Sequence, residues 1–302
     1  MGFTKQEERV NMQTQKYPND REAKQEIIEI GKRMYLKNFV AANDGNISCK
    51  VSEDIIWATP TGVSKGFMTE DMLVKMRMDG TIMSSGTMKP SSEIKMHLRI
   101  YEENAEVMGV THAHPPISTS YAIAGMGLDK AIYPEALVNL GTVPCVHYET
   151  PGSQGIPDSI APYCKDYHAL LLANHGALTW GKSLMEAFFR LEALEHYAMI
   201  LMYTGNVIGK ANVLSCDQVQ ELLKIREQLG ITAGGVPRCA NHAGNLKDVV
   251  VGGFADVCPR SLEKMDVKGP CGCLPQKNEI ADDVEYITKE VLKNLMNKSN
   301  AK

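Results

Sequence analysis

Apolar positions change period along the chain, and each change marks an element. Over residues 21–38, Ile27, Ile28, Ile30, Met34, Tyr35 and Leu36 recur among charged residues at helical spacing, which predicts an amphipathic helix. The cluster Asn43-Asp44-Gly45-Asn46 then marks a turn. Two short apolar runs, Ile47–Val51 and Ile55–Thr59, read as neighbouring strands. A second turn, Thr61–Gly66, leads into a short and partly apolar stretch over 70–76. Beyond it the pattern predicts a helix over 92–103 and a strand over 107–111. A helix follows from Pro115 to Ala124, with proline in its first turn, where a missing N–H loses no hydrogen bond. The run 169–173 is a further strand and 177–180 its continuation across the His175-Gly176 turn. Ser183-Leu184-Met185-Glu186 fits a capping box opening a long helix to Tyr203, and another helix covers 216–229. Strands flanked by helices predict an α/β layered fold.

After Leu229 the periodicity fades. Residues 231–278 are rich in Gly, Pro, Cys and Asn and read as a linker. One element follows, over 280–296, where Ile280, Val284, Ile287, Val291 and Leu295 form an apolar stripe between charges. Such a helix is marginal alone and needs a surface for its stripe. The expected organisation is an N-terminal extension (1–20), a catalytic-size domain (21–230), the linker (231–278) and a terminal amphipathic helix (279–302).

Composition narrows the class. The 302 residues are 44% hydrophobic and 23% charged, with a formal net charge of −4, which gives no reason to expect nucleic acid or an anionic membrane as partner. No apolar run approaches the ~20 residues needed to span a bilayer. Residues 1–20 are polar and lack the apolar stretch of a signal peptide, so the expected location is cytoplasmic. The eight cysteines are scattered, and in a reducing compartment most are expected as free thiols. Cys271-Gly272-Cys273, with Cys258 and Cys239 upstream, lacks the C-x-x-C spacing of a metal knuckle or cluster.

The candidate chemistry lies in three histidines. His112 and His114 stand two residues apart at the end of an apolar run, so a strand would point both imidazoles to one face. His175 ends a second apolar run, and Glu93 sits at a helix start in Pro90-Ser91-Ser92-Glu93. Three imidazoles and a movable carboxylate suit a zinc ion with an open position for substrate. His97, His147, His168, His196 and His242 lack such context and read as structural, and Lys65 and Lys89 read as solvated surface lysines.

Gly45-Asn46-Ile47-Ser48, Thr59-Pro60-Thr61-Gly62, Pro90-Ser91-Ser92-Glu93, His112-Ala113-His114 and Asn174-His175-Gly176 occur in an order that resembles the class II aldolase/adducin family over residues 21–205. The resemblance implies a three-layer α/β/α fold with a central, mostly antiparallel sheet. It also implies a C4 homotetramer with active sites between subunits. His112, His114 and His175 would hold one zinc ion per subunit, or another divalent metal. Glu93 would be the catalytic acid/base, close enough to contact the metal without substrate. Asn46, Thr61, Gly62, Ser91 and Ser92 would bind substrate phosphate, and Tyr133 would act in a neighbouring subunit's site. The implied reaction is retro-aldol cleavage of L-fuculose or L-rhamnulose 1-phosphate to dihydroxyacetone phosphate and L-lactaldehyde. The family also holds L-ribulose-5-phosphate 4-epimerases, which carry Asp where this chain has Glu93, and adducin-type interaction modules, which lack the histidines. The 279–302 helix is similar to the peptides that target enzymes to bacterial microcompartments. It implies a shell-protein partner and a lumenal location; the alternative is that it packs on the tetramer.

Overall fold

A computed structural model describes residues 16–83 and 88–240. Helix α1 (Asp20–Leu36) begins at a reciprocal cap: Asn19 accepts from the Glu22 N–H, and the Glu22 side chain accepts from the Asn19 N–H. Its buried face is Ala23, Ile27, Ile30, Gly31 and Met34, a stripe of three- and four-residue steps. Strands β1 (Asn46–Lys50) and β2 (Ile55–Ala58) form the predicted neighbouring pair, and β3 (Val74–Arg77) extends it. Helix α2 (Ile94–Glu103) precedes β4 (Gly109–Ala113), and α3 (Pro116–Ile123) follows. Then come α4 (Pro134–Asn139), β5 (Cys145–Val146), α5 (Gly155–Ile160), β6 (Ala169–Leu172) and β7 (Gly176–Gly181). Helices α6 (Leu184–Met202) and α7 (Cys216–Gln228) complete the described chain.

The seven strands make one sheet in the order β3-β2-β1-β4-β7-β6-β5. Every pairing is antiparallel except β5 with β6. Strand alternation sends side chains to two cores. Ile47, Cys49, Ala113, Leu171 and Ala177 join the core of α1 and α6, whereas Val110, Leu170, Leu178 and Trp180 join Ile94, Met96 and Ile100 of α2. The sheet is thus the middle of three layers, as the family resemblance implied.

The structure departs from the sequence expectations at several points. The strand expected over 107–111 is shifted to Gly109–Ala113, which puts His112 inside the sheet rather than beyond its end. The predicted capping box at Ser183 is half made: Ser183 accepts from the Glu186 N–H, but Glu186 turns to the Lys182 N–H and to Arg190. Elements α4, β5 and α5 are too short to carry a readable period.

The first ten residues of the expected linker are fastened to the domain. Arg226 donates to the Ala233 and Gly235 carbonyls, Gly234 donates to the Asp166 carbonyl, and Thr142 to that of Gly234. A Cys216–Cys239 disulfide joins α7 to this segment, while Cys49, Cys145 and Cys164 are free. Most of the described cysteines are thus free, as expected, and the one pair depends on a chain reversal with no local signature. The remainder of the linker, Cys258, Cys271, Cys273, His242 and the 279–302 helix lie outside the described residues. Among the described residues no helix is long and apolar enough to cross a membrane.

Candidate active site

Three neighbouring elements bring the histidines together. His112 lies in β4, His114 one residue beyond it, and His175 in the turn joining β6 to β7. That turn is tight: Asn174 takes a left-handed φ of 58°, and a Cβ on Gly176 would fall 2.5 Å from His114 Cδ2. Asn174-His175-Gly176 is therefore a steric solution for stacking a third imidazole against a pair. The nearest ligand nitrogens of the three rings all lie within 4.8 Å of one another.

The donor set fits a divalent metal. His112 Nδ1 sits 2.9 Å from the Ala177 carbonyl, and His114 Nδ1 3.3 Å from the Asp44 carboxylate, so both rings carry their proton on Nδ1. Their Nε2 lone pairs then face each other across 3.2 Å, an arrangement that a cation between them relieves. Nitrogens bound at about 2.0–2.1 Å in tetrahedral geometry stand at a similar separation. Burial holds both imidazoles below their ordinary pKa, which keeps the lone pairs free.

Glu93 closes the cluster from the start of α2. Its Oε1 is 2.9 Å from His175 Nε2 and its Oε2 3.6 Å from His112 Nε2, and Oε2 accepts from Asn46 Nδ2 at 2.7 Å. Burial alone would raise its pKa, but His112, His175 and the Asn46 amide outweigh burial and hold the carboxyl well below its usual range.

The segments that carry the predicted anion residues are tied to one another by backbone bonds. Thr61 donates its N–H to the Lys89 carbonyl at 2.9 Å, Ser91 donates to that of Thr59 at 3.4 Å, and Pro60 bridges Pro90. Ser91 Oγ lies 3.4 Å from Asn46 Nδ2 and accepts from the Glu93 N–H at 3.3 Å. Gly62, at φ 75°, has nothing within 4 Å of where a Cβ would stand, so its backbone borders open space. Asn46 is buried, whereas Thr61, Gly62 and Ser92 are exposed.

Tyr133 stands apart from the cluster. It caps α4, and its ring meets His196 edge-on at 5.7 Å. Lys65 corrects the sequence reading: it is 1% exposed, and Nζ donates to the Asn43 and Val63 carbonyls at 2.9 and 2.8 Å, stapling the two turns that flank the anion residues. Burial brings its pKa down to about 8, against the opposing pull of Asp44 and Glu93. Nothing in the local pattern separates it from a surface lysine. Asp44 also escaped notice, although a carboxylate two residues before Asn46, in the turn leading to β1, is a readable candidate for orienting a ligand histidine.

Comparison with known proteins agrees with this geometry. Residues 25–202 match the family described as Class II Aldolase and Adducin N-terminal domain. The chain is 30% identical over 208 residues to the 3-oxo-tetronate 4-phosphate decarboxylase of Pectobacterium atrosepticum, covering 68% of this chain and 94% of that one. It is 31% identical over 182 residues to the L-fuculose phosphate aldolase of Methanococcus maripaludis, covering 60% and 97% respectively. A solved L-fuculose 1-phosphate aldolase superposes with a TM-score of 0.64 at 27% identity, over 71% of this chain and 99% of that one.

Proposed function

The chain belongs to the class II aldolase/adducin family, and on that premise we propose that it cleaves the bond between the α- and β-carbons of a phosphorylated ketose, using a zinc ion held by His112, His114 and His175. The favoured substrates are L-fuculose and L-rhamnulose 1-phosphate, with dihydroxyacetone phosphate and L-lactaldehyde as products. The observation that carries the reading is Glu93, whose carboxylate touches His175 and reaches toward His112 while Asn46 holds it. A divalent ion bound by the histidines supplies Lewis-acid polarisation of the substrate carbonyl.

The chain's own groups do the rest. Asn46, Thr61, Gly62, Ser91 and Ser92 hold the phosphate through backbone N–H groups, hydroxyls and an amide. Tyr133 of a neighbouring subunit takes the proton of the C4 hydroxyl as the C3–C4 bond breaks, in a C4 homotetramer. Glu93 takes the proton of the C3 hydroxyl and delivers it to carbon 3 of the resulting enediolate, while the C3 oxygen regains a proton from solvent and Tyr133 gives its own up to solvent. Glu93, rather than Asp, favours cleavage over the epimerisation of L-ribulose 5-phosphate, and the three histidines oppose an adducin-like binding role. The apolar stripe at 280–296 supports microcompartment targeting through a shell protein.

The relationship to a 3-oxo-tetronate 4-phosphate decarboxylase favours a second reading. Loss of carbon dioxide from such a substrate breaks its C1–C2 bond and leaves the same three-carbon phosphate enediolate as the retro-aldol step. The two reactions therefore share every group but the one serving the leaving fragment: an aldehyde needs a base at its oxygen, and carbon dioxide needs none. The test is a panel of L-fuculose 1-phosphate, L-rhamnulose 1-phosphate, L-ribulose 5-phosphate and 3-oxo-tetronate 4-phosphate, scored for triose phosphate, lactaldehyde and carbon dioxide. Lactaldehyde with triose phosphate supports the first reading. Carbon dioxide release without lactaldehyde replaces it with the second.

A further inference from the structure

We infer that His97 is a positioning residue for Glu93, acting through Asn46. This rests on the reading of Glu93 as the proton carrier. Glu93, His97 and Tyr101 recur every four residues at the start of and along α2, and Asn46 and Ser48 are two apart on β1. Four helical residues advance about 6 Å and two strand residues about 6.7 Å, so the two rows interdigitate almost in step.

The result is a continuous ladder. Asn46 Nδ2 reaches Glu93 Oε2 at 2.7 Å, and Asn46 Oδ1 meets His97 Nε2 at 2.6 Å. His97 Nδ1 meets Ser48 Oγ at 2.8 Å, and Ser48 Oγ meets the Tyr101 hydroxyl at 2.8 Å. The Ser48 carbonyl stands 3.0 Å from the same Tyr101 hydroxyl and shares its one proton. Asn46, Ser48, His97 and Tyr101 are all buried, so no solvent competes for these groups.

The charge at one end sets the direction of every bond. An ionised Glu93 only accepts, so Asn46 must turn its NH2 toward it and its carbonyl toward His97. His97 must then donate from Nε2 and accept at Nδ1 from the Ser48 hydroxyl. A flipped Asn46 amide would set oxygen against carboxylate at one end and N–H against N–H at the other. His97 is the group that makes the second of these clashes, and so keeps Asn46 and the Glu93 carboxylate in one orientation.

The test compares two polar substitutions of similar shape in the full-length, metal-loaded protein. Glutamine places its amide nitrogen near the site of Nε2, whereas asparagine places its own near Nδ1. His97→Gln is expected to stay within about threefold of wild-type kcat, and His97→Asn to lose about tenfold or more in kcat. By NMR, His97 is expected as the neutral Nε2–H tautomer. The Asn46 side-chain amide protons are expected to exchange slowly in wild type and His97→Gln, and quickly in His97→Asn. Equal losses of kcat in the two variants, an Nδ1–H tautomer, or equal amide exchange in both would overturn the inference. If wild type cleaves none of the phosphorylated sugars, the proposed reaction fails, while the tautomer and the exchange rates still decide the role of His97.

Discussion

Asn46 and His112 are direct partners in the register of β1 and β4, so their side chains share one face of the sheet. Glu93 sits over both, donated to by Asn46 and 3.6 Å from His112 Nε2. Glu93 and the histidine cluster are therefore tied together through sheet register. A one-residue slip would carry Asn46 to the opposite face and release the carboxylate.

Glu93→Gln should retain the fold and the bound metal, because the amide is isosteric and three histidines remain. Its turnover should fall by about a hundredfold or more, the range expected for a lost general acid/base. Steady-state kinetics alongside metal analysis of the same preparation checks both halves. Wild-type turnover in this variant removes Glu93 from its role.

Asp44→Asn should weaken metal binding by about tenfold, because it removes the charge that orients His114 through Nδ1. Competition with a chromophoric chelator reads this directly, with no substrate present. An unchanged affinity would mean that His114 is held by packing alone.

Gly176→Ala forces a methyl group to 2.5 Å from His114 Cδ2 and 2.6 Å from the Ala113 carbonyl. Overpacking of this kind destabilises by about 1–3 kcal/mol, and here the displaced group is one of the proposed metal ligands. The expected outcome is a lower melting temperature together with reduced metal content.

His97 makes stability sensitive to acid. Burial brings its pKa from the ordinary 6.5 down to about 3. Between those values the unfolded chain binds a proton that the folded chain refuses, so stability falls as pH drops from 6.5 and this contribution is gone near 3. Above 6.5 both states are neutral and the group adds no pH dependence. In urea titrations, wild type should lose up to about 1.4 kcal/mol per pH unit from this group, a slope that His97→Gln should lack.

The long elements were legible because their periods are strong. The α1 stripe and the β1–β2 pair follow from spacing, the start of α6 follows from its cap at Ser183, and the two-residue spacing of His112 and His114 survives intact in the fold. What was hidden depends on tertiary neighbours. Lys65 looks like any lysine until two turns close over it, and the Cys216–Cys239 pair forms only once residues 231–240 fold back. His97 looked structural because its partners lie on a different strand, 49 and 51 residues away. Tyr133 is a different case: family order suggests a role in a neighbouring subunit's site, and within its own chain its ring meets His196.

The proposed reaction makes cleavage between the α- and β-carbons of a phosphorylated ketose depend on a metal held by His112, His114 and His175. The most direct measurement follows triose-phosphate release from L-fuculose 1-phosphate by one preparation: as purified, after chelator dialysis, and after stoichiometric zinc is returned. Activity is expected to be lost on chelation and restored by zinc, with no restoration in His112→Ala. Activity that survives complete metal removal, or full activity in His112→Ala, would contradict it.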